Sequence, residues 1–269
     1  MEWFTERYNG SGLEIKVVRK IAEARSIQHI EVYETEFFGK MLVIDGKIQL
    51  TELDEVFYHE MIVHVPMMMH EAPRKVLVIG GGDGGTLREV LKHEVDEVVL
   101  VEIDRAVIDL SREYLKIDQG AFEDERVRIV IEDGLKYVER CEDRFDVIIV
   151  DSTDPVGVSD PLFDEKFFKN ASKICDIICC QAQSPIVQKH LFIKLWKNAK
   201  AFEKRRVYLS YIPTYPLGYW AFIVAGQVDK FFEERFGKLK GKVKHYNPEL
   251  HRAAFALPEW LKREIDVSG

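Results

Sequence analysis

No stretch of this sequence approaches the roughly 20 consecutive apolar residues that a membrane-crossing helix requires. The opening residues, MEWFTERYNG, also lack the charged-then-apolar order of a secretion signal, so the expected location is the cytoplasm and no membrane partner is expected. Cysteine is scarce. The four residues, Cys141, Cys175, Cys179 and Cys180, form no CxxC pair and no regular pattern, which argues against a disulfide framework and for reduced thiols, three of them in the apolar run KICDIICCQ. The eight histidines have no zinc-ligand spacing, so no metal is expected. Positive charge is in deficit: 38 Lys and Arg stand against 46 Asp and Glu, for a formal net charge of −8. That balance argues against nucleic acid as the main partner and favours cationic ligands. Repeats, low-complexity tracts and linkers are missing too.

What is present reads as an α/β protein with a small satellite. The 269 residues, 46% of them hydrophobic, suffice for a full core. Up to residue 52 the runs LEIKVV, IQHIEVYET and KMLVIDGKIQLT alternate in character, with a turn signal at Asp45-Gly46. This is the expected small antiparallel N-terminal β-domain, residues 1–52. A helical pattern, LDEVFYHEMIVHVPMMM, opens the second domain, residues 53–269. Apolar runs VLVIG, EVVLVEID, VRIVIEDG, FDVIIVDS and DIICCQ then alternate with helix-compatible stretches, the pattern of a parallel sheet covered on both faces.

Ligands of such sheets bind at the carboxyl ends of the strands, and acids follow four of these runs in succession: Asp83, then Glu102 and Asp104, then Asp133, then Asp151 and Asp154. One such acid is more often a helix cap than a ligand. Four in succession point to a site. The loop in VLVIGGGDGGTLREV fits a dinucleotide fingerprint, Gly80-x-Gly82-x-x-Gly85, with Glu102 at the distance of a ribose-binding acid. Asp83 counts against that reading, because its carboxylate would crowd a pyrophosphate. A nucleoside without phosphates suits the loop better. Glu102 then accepts from two ribose hydroxyls, Asp133 from an adenine amino group, and the 5′ substituent runs toward Asp83.

IGGGDGGTLREV, VEID, IEDG and VDSTDPVG, with VIDGKIQLTELDEVFYHEM, IPTYPLGYWAF and YNPELHRAAFALP, together resemble the spermidine synthase family of aminopropyltransferases, over nearly the whole chain. The resemblance implies a small N-terminal β-domain followed by a class I methyltransferase-like Rossmann sheet, assembled as a homodimer or homotetramer. It implies transfer of an aminopropyl group from decarboxylated S-adenosylmethionine to an amine, usually putrescine, giving spermidine and 5′-methylthioadenosine. The donor is a co-substrate, so no cofactor is expected.

Carried over by position, the resemblance puts Gln28 and Glu102 at the sugar, Asp133 and Gly134 at the adenine, and Gly80 and Gly82 in the donor loop. Gln49, Tyr58, His59 and Asp83 fall at the junction of donor chain and polyamine. Asp151 is the implied base, assisted by Tyr58. Asp154 is a second polyamine contact, and Gln181 and Tyr215 border the acceptor channel. On a helix, an aromatic or histidine such as Tyr58 or His59 is otherwise more often a core residue. Two departures stand out: Val158 replaces a proline beside the adenine in DPVGV, and CCQAQSPI differs from several acceptor-side variants. Other acceptors (agmatine, cadaverine, spermidine), an N-methyltransferase on the same fold, an NAD-dependent oxidoreductase and a non-catalytic polyamine binder remain open. The segment from Asp154 to Phe163, with its prolines and glycine, is expected to close over the reactants.

Overall fold

The protein is described here from a computed structural model, covering residues 2–153 and 162–268. The chain begins with five strands, β1 (Glu2–Tyr8), β2 (Ser11–Arg25), β3 (His29–Thr35), β4 (Lys40–Ile44) and β5 (Lys47–Thr51). They form an antiparallel sheet in sequential order. Asp45 and Gly46, with φ of 51° and 75°, turn β4 into β5, as an Asp-Gly pair in a type I′ turn requires. The sequence reading missed β1, whose EWFTERY is largely exposed. It also cut β2 to LEIKVV, because register shifts between Val17 and Arg19 and between Lys20 and Ala22 interrupt the alternation.

Helix α1 (Glu55–Met69) follows. Thirteen of its fifteen residues are buried, as expected of a helix apolar around most of its circumference. Its buried acid Glu60 accepts the backbone N–H groups of Lys244, His245 and Tyr246 at 2.7–2.8 Å and ties down the C-terminal segment. The alternating region comes next: β6 (Lys75–Gly80), α2 (Gly85–Val90), β7 (Glu97–Glu102), α3 (Arg105–Leu110), β8 (Val127–Ile131), α4 (Gly134–Arg140) and β9 (Phe145–Asp151). Beyond residue 161 the elements are α5 (Glu165–Ile174), β10 (Cys175–Gln181), α6 (Lys189–Asn198), β11 (Arg205–Tyr211), β12 (Tyr219–Gly226), α7 (Pro248–Ala254) and α8 (Glu259–Ser268).

The second sheet has the order β11-β12-β10-β9-β6-β7-β8. Strands β6 to β10 run parallel. These are the five apolar runs expected to pair in parallel; the sheet is extended at one edge by β12, which lies antiparallel to β10 and to β11. RRVYLSY and YWAFIVAG follow one another without an intervening helix, so they pair as a hairpin-like unit and reverse direction. One face of the sheet packs on α1 and the other on α4, α5 and α6, giving two large cores. A third joins the N-terminal sheet to α3 through Ile30, Val32, Leu42 and Val107. Asp104, which caps α3 by accepting from Ala106 N, also accepts from Ser26 Oγ and Gln28 N and stitches the two sheets together. Among the described residues, no helix is long and apolar enough to cross a membrane.

All four cysteines are free thiols. Cys175, Cys179 and Cys180 are buried and Cys141 is partly exposed; burial pushes the Cys179 thiol up to about 12. A chromogenic disulfide reagent is therefore expected to titrate one thiol in the native chain and four in denaturant. Rapid reaction of three or more native thiols would contradict the buried placement.

Candidate active site

Strand order reverses between β6 and β9, and the open crevice of such a sheet lies at the carboxyl ends of those two strands. Gly80, at the end of β6, pairs with Asp151 at the end of β9. Its φ is +80°, and a Cβ there would lie 2.1 Å from the Asp151 carbonyl oxygen, so only glycine permits this approach. The next residue, Gly81, donates its N–H to the same carbonyl at 2.7 Å. The glycine loop and the strand that ends in Asp151 are thus locked as one unit.

Asp151 is buried. Its Oδ1 accepts from the Tyr58 hydroxyl at 2.7 Å and its Oδ2 from the Thr86 hydroxyl at 2.5 Å. Burial and the nearby Asp83 charge push its carboxyl above the ordinary range, more than those two donors and the His59 charge lower it. Burial holds the Tyr58 phenol well above 10, so Tyr58 remains a donor. Asp83 Oδ1 accepts from Gly85 N at 2.7 Å and lies 3.2 Å from His59 Nε2. His59 Nδ1 faces Glu55 Oε2 at 2.6 Å. Burial opposes charge on this ring, but Asp83 and Glu55 outweigh it and raise His59 to about 10. Asp83 is correspondingly lowered: its burial is overcome by the His59 charge and hydrogen bond. Ligand atoms of His59, Asp83 and Asp151 lie within 4.8 Å of one another, yet both ring nitrogens are turned to carboxylates, the arrangement of an imidazolium rather than of a metal ligand.

At the end of β7, Glu102 takes Gly82 N at 3.1 Å and Asp104 N at 3.0 Å. Burial still raises its carboxyl to about 7, since these backbone donors only partly compensate. Asp133 caps α4 by accepting Leu135 N on Oδ1 at 2.9 Å. Capping therefore occupies one oxygen of Asp133 and leaves the other for a ligand. From the N-terminal sheet come Gln28, whose amide donates to Asp45 at 3.4 Å, and Gln49, whose carbonyl accepts the Tyr215 hydroxyl at 2.6 Å. At the end of β10, Gln181 donates to the Ser152 carbonyl at 3.2 Å and accepts from the Gln183 amide at 2.8 Å.

Gln28, Gln49, Tyr58, His59, Gly80, Gly82, Asp83, Glu102, Asp133, Gly134, Asp151, Gln181 and Tyr215 all line one cavity that opens to solvent. Asp154, Val158 and residues 154–161 of the segment expected to close over the reactants lie outside the described residues; its last two residues, Leu162 and Phe163, are buried.

The family profile described as spermine/spermidine synthase domain matches residues 55–235, and that described as spermidine synthase tetramerisation domain matches residues 2–52. The chain belongs to the spermine/spermidine synthase family. It is 65% identical to the polyamine aminopropyltransferase of Archaeoglobus fulgidus over 268 residues, 99% of each chain. It is 41% identical to that of Thermotoga maritima, covering 98% of this chain and 94% of the relative. Among solved structures it is similar to a spermidine synthase in complex with the transition-state analogue AdoDATO, with TM-score 0.95, 40% identity and coverage of 99% and 95%. A crystal structure of the Thermotoga maritima spermidine synthase matches at TM-score 0.94, 40% identity and the same coverage. Transfer of an aminopropyl group is the activity of this family, and the chain is an enzyme of that type.

Some residues that build this aminopropyltransferase site were not found by reading the sequence. Thr86 stands in the quoted loop but bears on Asp151 only through the fold. Asp54 accepts Thr51 Oγ1, Thr214 N and Thr214 Oγ1 at 2.6–2.9 Å, which sets the loop carrying Tyr215. Glu55 and Arg88 form a bidentate pair directly behind His59. Asp54, Glu55 and Arg88 offered only their charge as a signal, and the neutral Thr86 offered none.

Proposed function

We propose that this enzyme transfers the aminopropyl group of decarboxylated S-adenosylmethionine to putrescine, with Asp151 as the base and no metal or cofactor. The supporting observation is the placement of Asp151, buried at the sheet's reversal point and held on both oxygens, in one cavity with Asp83 and Glu102. Glu102 and Gln28 take the ribose, Asp133 and Gly134 the adenine, and the donor's propyl chain runs past Gly80 and Gly82 toward Asp83. The acceptor amine's lone pair attacks the propyl carbon beside the sulfonium. A C–N bond forms, the C–S bond breaks with its electron pair going to sulfur, and 5′-methylthioadenosine leaves. The amine proton passes to Asp151, whose raised carboxyl is a stronger base than an exposed one. The hydroxyls of Tyr58 and Thr86 each occupy one lone pair of the carboxylate, leaving others free for the amine. The distal ammonium of the acceptor stays charged and lies beside Gln181 and Tyr215; the family resemblance adds Asp154 as its acidic contact.

Turnover with a panel of putrescine, cadaverine, agmatine, spermidine and 1,3-diaminopropane, read by mass spectrometry, tests the acceptor. Putrescine is expected to give the highest kcat/KM, and a tenfold preference for another amine would overturn that choice. The homo-oligomeric state, dimer or tetramer, is read by analytical ultracentrifugation.

The ribose assignment carries a pH signature. Hydroxyl donors stabilise the ionised form of Glu102, so nucleoside binding lowers its pKa from about 7. Binding therefore releases protons near neutrality and weakens as pH falls. Affinity for 5′-methylthioadenosine is expected to drop roughly five- to tenfold between pH 7.5 and 6. Calorimetry in buffers of different ionisation enthalpy measures the proton count; proton uptake, or constant affinity over that range, would exclude Glu102 as the ribose acceptor.

A further inference from the structure

Arg88, in the second turn of the glycine-loop helix, is absent from the cavity lining. It is nonetheless 8% exposed and densely engaged. Its guanidinium donates to both oxygens of Glu55, at 3.1 and 2.8 Å, to Glu89 Oε1 at 2.7 Å and to the Ile117 carbonyl at 2.7 Å. Few surroundings explain so many buried donors unless orientation matters, because an arginine fork fixes a carboxylate in plane as a point charge does not. The gripped oxygen, Glu55 Oε2, is the one that meets His59 Nδ1 at 2.6 Å. The far side of that ring meets Asp83 at 3.2 Å. The ring also lies flush on Gly85, where a Cβ would come within 2.3 Å of it. Arg88, Glu55, His59 and Asp83 therefore form a continuous buried chain from the back of α2 to the cavity wall.

We propose that Arg88 is a positioning residue for aminopropyl transfer: by its two-pronged grip on Glu55 it aligns His59 as an imidazolium that presents an ionised Asp83 to the substrates' ammonium groups. This rests on the aminopropyl-transfer reading of the cavity. The charge count supports it. Around His59 stand Glu55 from its own helix, Tyr58 beside it, Asp83 from the glycine loop and Asp151 from β9, with Arg88 of α2 behind Glu55 and Glu89 beside Arg88. Glu89 is separately matched by Lys92. That leaves three carboxylates, Glu55, Asp83 and Asp151, with two cations, His59 and Arg88. Removing one cation leaves excess negative charge in a buried site, and a carboxylate then binds a proton at higher pH. Burial raises the Asp83 carboxyl; His59 and the Gly85 N–H lower it more, and the Arg88 charge adds to that lowering.

The test has two arms. In the first, ¹⁵N-histidine spectra of the ligand-free wild-type protein at pH 7.5, with His59 assigned by comparison with His59→Gln, are expected to show both His59 ring nitrogens protonated. A single neutral tautomer overturns the proposal. This arm needs no turnover, so its failure is distinct from failure of the activity reading. In the second, Arg88→Gln is expected to move the acid limb of kcat/KM against pH upward by about one unit or more, and Arg88→Lys to return it most of the way. Because an ammonium cannot grip both Glu55 oxygens in one plane, Arg88→Lys keeps a donor KM raised severalfold. An unmoved acid limb in Arg88→Gln overturns the proposal. If Arg88→Gln does not fold, Arg88→Lys with an unaltered donor KM overturns it equally.

Discussion

Asp151→Asn is expected to lower kcat by roughly 10²-fold or more, the usual range for loss of a general base, while the affinity for 5′-methylthioadenosine changes little. Asparagine matches the shape of aspartate and can still accept from Tyr58 or Thr86, which hold the wild-type side chain at 2.7 and 2.5 Å. It cannot take the amine's proton. The acceptor's solution pKa is near that of lysine, about 10, so near neutrality almost every acceptor molecule arrives protonated. A site without a base must wait for the rare neutral amine. The proposed nucleoside contacts, Glu102 at the end of β7 and Asp133 at the N-terminus of α4, lie elsewhere and are left intact. Single-turnover kinetics with nucleoside binding measured in parallel decides the matter: a variant keeping more than half the wild-type turnover at neutral pH would remove Asp151 from the role.

The second large effect concerns Asp83 and the choice of donor. Decarboxylated S-adenosylmethionine ends in an ammonium with no carboxylate beside it, and Asp83 stands at the cavity wall, where the proposed donor pose puts that ammonium. Intact S-adenosylmethionine would bring a carboxylate within a few ångströms. Repulsion between unit charges at 4 Å is on the order of 4 kcal/mol at an effective dielectric of 20. His59, 3.2 Å from Asp83, offsets part of that charge. Half the repulsion still corresponds to roughly thirtyfold discrimination, at about 1.4 kcal/mol per factor of ten. Asp83→Asn is accordingly expected to weaken binding of the decarboxylated donor and to narrow its advantage over the carboxylated one by about that factor. Calorimetric titration of both donors into both proteins gives the ratio, and an unchanged ratio would assign the selection to shape.

The strands that place these acids were legible because each is a short apolar run ending in a polar residue. VLVIG, FDVIIVD and their neighbours are buried from both sides, and such strands carry their pattern locally. The antiparallel edge was not legible in that way. RRVYLSY is buried only at Val207, Tyr208 and Ser210, whereas YWAFIVAG is buried at all but its two ends, so the two share no common signature although they pair along their lengths. The acids themselves stood out at strand ends, and the resemblance gave them roles. What the sequence could not display was the partnership of residues far apart in it. Thr86 reaches Asp151 across 65 positions, Arg88 reaches Glu55 across 33, and Thr214 reaches Asp54 across 160. None of these belongs to a local pattern, because each contact exists only once α1, α2 and the sheet are assembled. His59 shows the same limit differently. Its position at the cavity was foreseen, but the two carboxylates flanking its ring, and hence its charge, follow from the packing of α1 against the glycine loop.

The central claim is that an acid-walled nucleoside site passes an aminopropyl group, and no other group, to an amine. Incubating the enzyme with putrescine and an equimolar mixture of decarboxylated and intact S-adenosylmethionine, with products identified by mass spectrometry, tests this directly. The account predicts spermidine and 5′-methylthioadenosine in equal amounts, with the intact donor unconsumed. A methylated amine accompanied by S-adenosylhomocysteine would contradict it.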